Sequence, residues 1–327
     1  MHLDKRRLFG PFFPILSRAK HSEASRFLVA TAALPSQLVR ARHNKPYFAV
    51  DLNARKGMGA VVSEALLICN YAERNGLIPL ITSTNPLYAS TKGADFLTNY
   101  LGIASEYPTK NIWPMQFHTL WSFYHLPFSR HASLADANRL FWKYLSPKPI
   151  ITDKVKACLD SVPAKQFDLS IHYRGTDKSL EAPLPTYEVY EHSIIHYEQP
   201  YGKVDNIFLA TDDAGFEAFI RKRFPLKRFV TFNLGDPSDT SRGRHFSDLS
   251  PENKAIEALV NMFLLAAAPA CIRGASYMSA ISKIINRKLM TITVNRTHGG
   301  SNLFPEYEIE NEARASKQLH SVAAYRT

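Results

Sequence analysis

The sequence predicts an α/β protein built from two doubly wound halves, each a parallel sheet covered by helices. Three observations predict it. Apolar runs of strand length alternate with segments whose apolar residues recur at helical spacing, over residues 46–84 and again over 168–295. Glycine and proline punctuate the ends of these segments. Three of the apolar runs in the second stretch pass directly into polar groups, as strands do when their carboxyl ends open onto a crevice.

Residues 46–52 (PYFAVDL) read as a strand and NARKGMG as the loop after it. Residues 60–76 carry apolar side chains at helical spacing and stop at Gly76. Residues 77–84 (LIPLITST) are the next strand and complete a β-α-β unit. Residues 107–150 hold Trp113, Trp121, Trp142 and several prolines; they read as short helices and loops, with a linker at 146–150. Trp113, His118, Trp121, Tyr124 and His125 read as core, with stacking on sugar rings as the alternative. From 168 the alternation resumes with a strand at DLSIHYRG, a helix over 186–199, a strand over 206–213, a helix from Ala214 and a strand over 228–234. Ser250 is placed to cap a helix over 250–268, with Pro251 at its first position and Glu252 in its first turn. A short strand (269–274), a helix and a last strand (288–295) follow. The expected organisation is a basic segment over 1–45, a first half over 46–150, a second over 165–300 and a tail over 301–327.

Composition narrows the function. The chain has 327 residues, 45% hydrophobic and 12% aromatic, enough for a substantial core. Of the net charge of +11, residues 1–60 contribute +8, from eleven Lys/Arg and three Asp/Glu. Such a basic segment suits an anionic membrane, an anionic glycan or a solvated terminus. No zinc spacing, ribonucleoprotein motif or basic heptad helix accompanies it, so no nucleic-acid partner is expected. Cys69, Cys158 and Cys271 lie far apart without a CxxC, which argues against a disulfide framework and structural zinc. They read as buried thiols in a reducing, cytoplasmic setting. The longest apolar run beyond the N-terminal region, Met262 to Ile272, has eleven residues and contains a proline. A spanning helix needs roughly 20. The expectation is a soluble protein, with peripheral contact to the inner membrane face through the basic N-terminus as an option.

The three polar strand ends carry the chemistry. After Ile171 come His172, Arg174, Thr176, Asp177 and Lys178; after Leu209 come Thr211, Asp212 and Asp213; after Ile272 come Arg273, Gly274, Ser276 and Ser279. A guanidinium grips phosphate oxygens in a fork. Gly274 and Ser276, at a strand-to-helix turn, would offer backbone N–H groups to another phosphate oxygen. Acidic groups beside them would accept from a base or ribose. Gly57 and Gly59 open a helix in the first half without completing a dinucleotide or P-loop pattern. Each group also has a structural reading: Arg174 with Asp177 as an ion pair, TDD as a helix cap, Gly274 as a turn glycine, His172 as a satisfied half-buried histidine.

The series IHYRGTDK, IFLATDD and NMFLLAAAPACIRGASYMS resembles the three motifs of the α-1,6-fucosyltransferases, which include the nodulation-factor fucosyltransferases. Protein O-fucosyltransferases are more distant relatives. The family motifs read H-V-R-R-T-D-K, then [FY]-L-A-T-D-D, then an apolar segment with an acidic residue near its start and a serine-rich turn at its end. The resemblance covers about residues 168–285 and extends to the glycine loop at 57–59. It implies a GT-B-like fold of two Rossmann-like halves facing a cleft. It also implies a GDP-fucose donor, a glycan or lipid-linked oligosaccharide acceptor, inversion at the anomeric carbon, and no metal or further cofactor.

By position, the resemblance places Arg174 on the donor diphosphate, His172, Asp212 and Asp213 at or behind the nucleotide, and Ser276 near the phosphates. Arg174, backbone N–H groups and Lys178 would stabilise charge on the leaving GDP. Glu181, with Asp177 as the alternative, would take the acceptor proton. The chain departs from the pattern at three points. Gly175 stands where the family has its second arginine. Glu181 lies three residues after Lys178 rather than four. Asn261 falls where an acidic residue is expected, and its amide oxygen serves guanine less well than a carboxylate would. Two alternatives follow: the same fold with a different nucleotide sugar, and a non-catalytic binder of anionic polymers.

Overall fold

The computed structural model describes residues 39–40, 42–102, 111–116, 132–175, 183–235, 248–295 and 304–315. The first half begins with β1 (Tyr47–Asp51), α1 (Met58–Arg74) and β2 (Ile78–Thr82). β1 and β2 pair in parallel, Tyr47 opposite Ile78 and Asp51 opposite Thr82. A parallel pair needs a crossover, and α1 supplies it. Fourteen of the seventeen α1 residues are buried, because the helix is covered on several sides and its sequence is apolar nearly all round. Gly76 ends it as the sequence predicts, at φ +63, while the Leu77 N–H reaches back to Ala72 O at 2.8 Å. α2 (Leu97–Tyr100), β3 (Leu101–Gly102) and β4 (Met115–Gln116) follow, and β4 completes the parallel order β2-β1-β4.

The stretch expected to be short helices and a linker is more regular. α3 (Leu134–Tyr144) starts at Ser133, whose hydroxyl accepts from the Asp136 N–H at 3.0 Å. β5 (Ser146–Pro147) pairs antiparallel with β3, and α4 (Pro149–Asp160) begins at once, with proline in its first turn. The prolines taken as linker residues therefore mark a strand end and a helix start.

The second half is a five-stranded parallel sheet, β10-β9-β6-β7-β8. Its elements are β6 (Leu169–Tyr173), α5 (Tyr187–Tyr201), β7 (Asn206–Thr211), α6 (Ala214–Arg223), β8 (Arg228–Val230), α7 (Pro251–Ala266), β9 (Ala270–Arg273), α8 (Tyr277–Ile285) and β10 (Met290–Thr293). The cap predicted for α7 is present: Ser250 Oγ accepts from Asn253 N–H at 3.2 Å. Such a cap contributes about 1 kcal/mol. All five β6 residues are buried, as expected for a strand covered on both faces. One face (Leu169, Ile171, Tyr173) packs on α5 and α6 in a core of its own. The other joins a larger core shared with the first half, in which Leu66 of α1, Leu264 of α7 and Ile281 of α8 meet. Ser170 on that face is satisfied by the Leu265 and Ala270 carbonyls at 2.8 and 3.1 Å.

The segment expected to be a tail is built into this core. Phe304 is fully buried, and α9 (Glu306–Ala315) follows it. Cys69 and Cys271 are buried free thiols, while Cys158 is half-buried. Trp113 is half-exposed rather than core; Trp121, His118, Tyr124 and His125 lie outside the described residues. Among the described residues no helix is long and apolar enough to cross a membrane.

Candidate functional site

In the second sheet the chain builds β6, β7 and β8 outward, then crosses back to place β9 on the other side of β6. The order reverses between β6 and β9, and in such sheets ligands bind outside the carboxyl ends at that switch. Arg174 and Gly175 follow β6 there, and Gly274 to Ser276 follow β9. The two ends are stitched together: the His172 carbonyl accepts from Gly274 N–H at 3.3 Å and from Tyr190 Oη at 3.0 Å. Two of the three polar clusters therefore meet at the switch point, and the third lies beside them on β7, where Thr211 pairs in register with Tyr173.

Arg174 keeps about a quarter of its side chain exposed, and its Nε lies 3.9 Å from Asp212 Oδ2. Asp212 Oδ1 accepts from Gly175 N–H at 2.9 Å, so one carboxylate shapes the loop and faces the guanidinium. Asp213 has a different task. It caps α6 through Phe216 N–H at 3.0 Å and accepts from Tyr187 Oη at 2.9 Å. Burial, reinforced by Asp213, pushes the Tyr187 phenol up to about 12. Thr211 Oγ1 accepts from Asp213 N–H at 3.1 Å. A β-carbon on Gly175 would lie 2.5 Å from Asp213 Oδ2, a steric reason for glycine at the position where the resemblance expects arginine.

The first half meets this site through α1. Tyr88 Oη accepts from the Met58 N–H at 2.8 Å, at the start of the helix. Burial pushes the Tyr88 phenol up; the Met58 hydrogen bond and then the Arg174 charge work in the other direction, so Arg174 lies within electrostatic reach of the α1 N-terminus. A β-carbon on Gly59 would lie 2.7 Å from Met278 N, so the N-terminal turns of α1 and α8 are in backbone contact. Neither helix has a side-chain N-cap. Two positive helix ends thus converge at this contact. Burial lowers the Lys254 pKa; Asp248 opposes that shift and Arg55 adds to it, so the same loop also faces the start of α7.

Lys56 pairs with the fully buried Glu64, its carbonyl accepts from Asn85 Nδ2 at 2.8 Å, and burial lowers its ammonium to about 7. Asn261 spends both amide protons on the Phe232 and Glu257 carbonyls, at 3.1 and 2.8 Å, and its buried Oδ1 has no hydrogen-bond partner among the described residues. No group of metal-ligating side chains occurs among the described residues.

No protein family matches the chain by sequence, and no curated protein does. Solved structures do match by shape. The fucosyltransferase NodZ from Bradyrhizobium aligns over 73% of this chain and 92% of its own, at 15% identity and a TM-score of 0.50. The chain has a fucosyltransferase-like fold. That fold is the GT-B arrangement of two parallel sheets. A GDP complex of a point variant of Arabidopsis thaliana FUT1 aligns over 80% of this chain and 74% of its own, at 12% identity and a TM-score of 0.44. POFUT1 without ligand aligns over 75% and 97%, at 10% identity and a TM-score of 0.44.

The site residues named from sequence separate into three groups. Arg174, Gly274, Ser276, Gly57 and Gly59 lie around the switch point or the helix ends that face it. His172 is buried within β6, and Thr211, Asp212, Asp213 and Asn261 are engaged in holding loops and a helix start. Asp177, Lys178 and Glu181 lie outside the described residues. Sequence reasoning missed Tyr88, Lys56 with Glu64, and Glu257, whose Oε2 accepts from Leu234 N–H at 2.7 Å. Glu257 left a signal: it stands one turn before Asn261, two polar residues on one side of an apolar helix. Tyr88 left none.

Proposed function

We propose that the protein is a glycosyltransferase that transfers fucose from GDP-fucose to a glycan or lipid-linked oligosaccharide, with inversion and without a required metal. One observation carries this reading: Arg174 stands at the switch point, within electrostatic reach of the place where the N-termini of α1 and α8 meet. A diphosphate there would face a guanidinium and two positive helix ends. As the bond to the sugar breaks, negative charge grows on the β-phosphate, and these groups would stabilise it. The motif series and the likeness of fold to a fucosyltransferase support GDP-fucose as the donor. A carboxylate would remove the acceptor proton, with Glu181 the first choice and Asp177 the second.

The test is thermal shift with GDP, UDP, ADP and CMP in metal-free buffer. GDP is expected to raise the melting temperature, and Arg174→Ala to abolish the rise. The absence of any GDP shift at millimolar concentration would sink the reading. A preference for another nucleotide would favour a different donor sugar, which the Asn261 geometry motivates: its single uncommitted acceptor suits one base N–H, whereas guanine presents N1–H and N2–H together.

A further inference from the structure

We propose that Arg273 is a positioning residue for the proposed phosphate turn, and that the C-terminal segment 304–315 is part of the site because Glu306 holds Arg273 in place. The inference rests on the donor-binding reading above.

Arg273 ends β9 with no exposed surface. Nε donates to Ser279 Oγ at 2.9 Å. Nη1 donates to Glu306 Oε2 at 2.9 Å and to Thr293 Oγ1 at 3.4 Å. Nη2 donates to Glu306 Oε1 and to the Ser276 carbonyl at 3.1 Å. A guanidinium has five N–H groups, and all five are used. Two of the bonds end on the turn and the helix it opens. The Ser276 carbonyl is drawn inward onto the guanidinium. Because the peptide is planar and trans, the Tyr277 N–H points the opposite way, out of the α8 N-terminus. Ser279 Oγ also lies 3.3 Å from the Gly274 carbonyl, so both flanks of the turn are held from behind. The Ala275 N–H is taken by Asn295 Oδ1 at 2.7 Å. Of the N–H groups that remain at the turn, that of Tyr277 is the one whose direction Arg273 sets.

A buried guanidinium without a counter-charge is strongly unfavourable. Arg273 keeps this position because Glu306 forms a fork with it from the first turn of α9. The same segment grips the two helices whose ends converge: Ser63 Oγ of α1 donates to the Phe304 carbonyl at 3.3 Å, and Lys283 of α8 pairs with Glu312 from α9. The segment thus ties α1, α8 and β9 together.

The experiment uses the full chain and measures melting temperature and GDP affinity. The key variant is the double substitution Arg273→Met with Glu306→Leu. Replacing a whole buried ion pair by apolar residues of similar volume is often neutral for stability, so this protein is expected to fold while its GDP affinity falls about tenfold or more. Ser279→Ala, which removes one of the two bonds to the turn, is expected to fold and to lose about fivefold, the equivalent of about 1 kcal/mol. Glu73→Gln, at the far end of α1, serves as a control that lowers stability without touching the turn and should keep wild-type affinity. Wild-type affinity in a folded double variant or in Ser279→Ala would overturn the proposal. So would losses that merely follow melting temperature along the line set by Glu73→Gln. If the wild-type chain itself binds no nucleotide, the donor-binding reading fails first, and the proposal falls with it.

Discussion

Gly59 and Met278 come from opposite halves of the chain and meet backbone to backbone: a β-carbon on Gly59 would stand 2.7 Å from the Met278 nitrogen. The three atoms nearest that virtual carbon, Met278 N, Tyr277 C and Tyr277 Cβ, are main chain or bonded directly to it and have little room to yield. Gly59→Ala is therefore expected to push α1 off α8. The expected cost is about 1–3 kcal/mol in denaturant unfolding, with a reduced GDP shift. Gly57→Ala is the contrast. Nothing lies within 4 Å of its virtual β-carbon, so its stability should change by less than about 0.5 kcal/mol. Equal effects for the two would contradict the packing role.

At Gly175 the obstacle is a side chain. A β-carbon there would lie 2.5 Å from Asp213 Oδ2, and Asp213 is fixed by Tyr187 and by the start of α6. Restoring the family-type arginine, Gly175→Arg, is expected to lower stability by about 1–3 kcal/mol rather than improve binding. Combining it with Asp213→Ala should recover much of the steric part, less about 1 kcal/mol for the lost cap. Chemical denaturation of the three proteins checks the order.

The proposed charge stabilisation comes from Arg174 and helix ends. GDP affinity is thus expected to be unchanged by EDTA and by added Mg2+, in calorimetric titrations of the full chain. Affinity that appears only with a divalent cation would contradict that account.

Glu73 contributes a pH dependence to stability. Its carboxylate accepts from Arg139 Nη2 at 2.7 Å, Lys143 Nζ at 2.6 Å and Tyr144 Oη at 2.9 Å, joining α1 to α3. The Arg139 bond chiefly, opposed by burial and helped by Lys143 and Tyr144, lowers its pKa from 4.5 to about 2. A carboxylate whose folded pKa is depressed contributes stability that is complete above its unfolded value and fades as pH falls through the folded one. The loss should fall between pH 4.5 and about 2. Arg139 and Lys143 are half-exposed, so solvent screening limits the contribution to about 1 kcal/mol. Glu73→Gln should remove that amount at pH 7 and flatten this part of the acid-unfolding profile; an unchanged profile would show that the network does not bear on stability.

Much of the fold was legible because its causes are local. The Ser250 cap, Pro251 at a helix start, and Gly76 at a helix end act through a few neighbouring residues, and each appears where the sequence places it. The same locality misled at 146–150, where prolines read as a linker mark a strand end and a helix start. It misled again after residue 300, where Phe304 and Ile309 are too few to announce a buried segment.

The sequence by itself determined the alternation of strands and helices and the polar ends of β6, β7 and β9, because side-chain periodicity and the chemistry at a strand end are written in consecutive residues. Only the tertiary structure decided which groups face each other there. Arg273 and Glu306 lie 33 positions apart, and Tyr88 reaches the Met58 N–H across 30. Such pairs are selected by packing between elements, and no local pattern encodes them. The physical reason is that a hydrogen-bonded turn stores its information in neighbours, whereas a buried ion pair depends on surfaces assembled from remote parts of the chain.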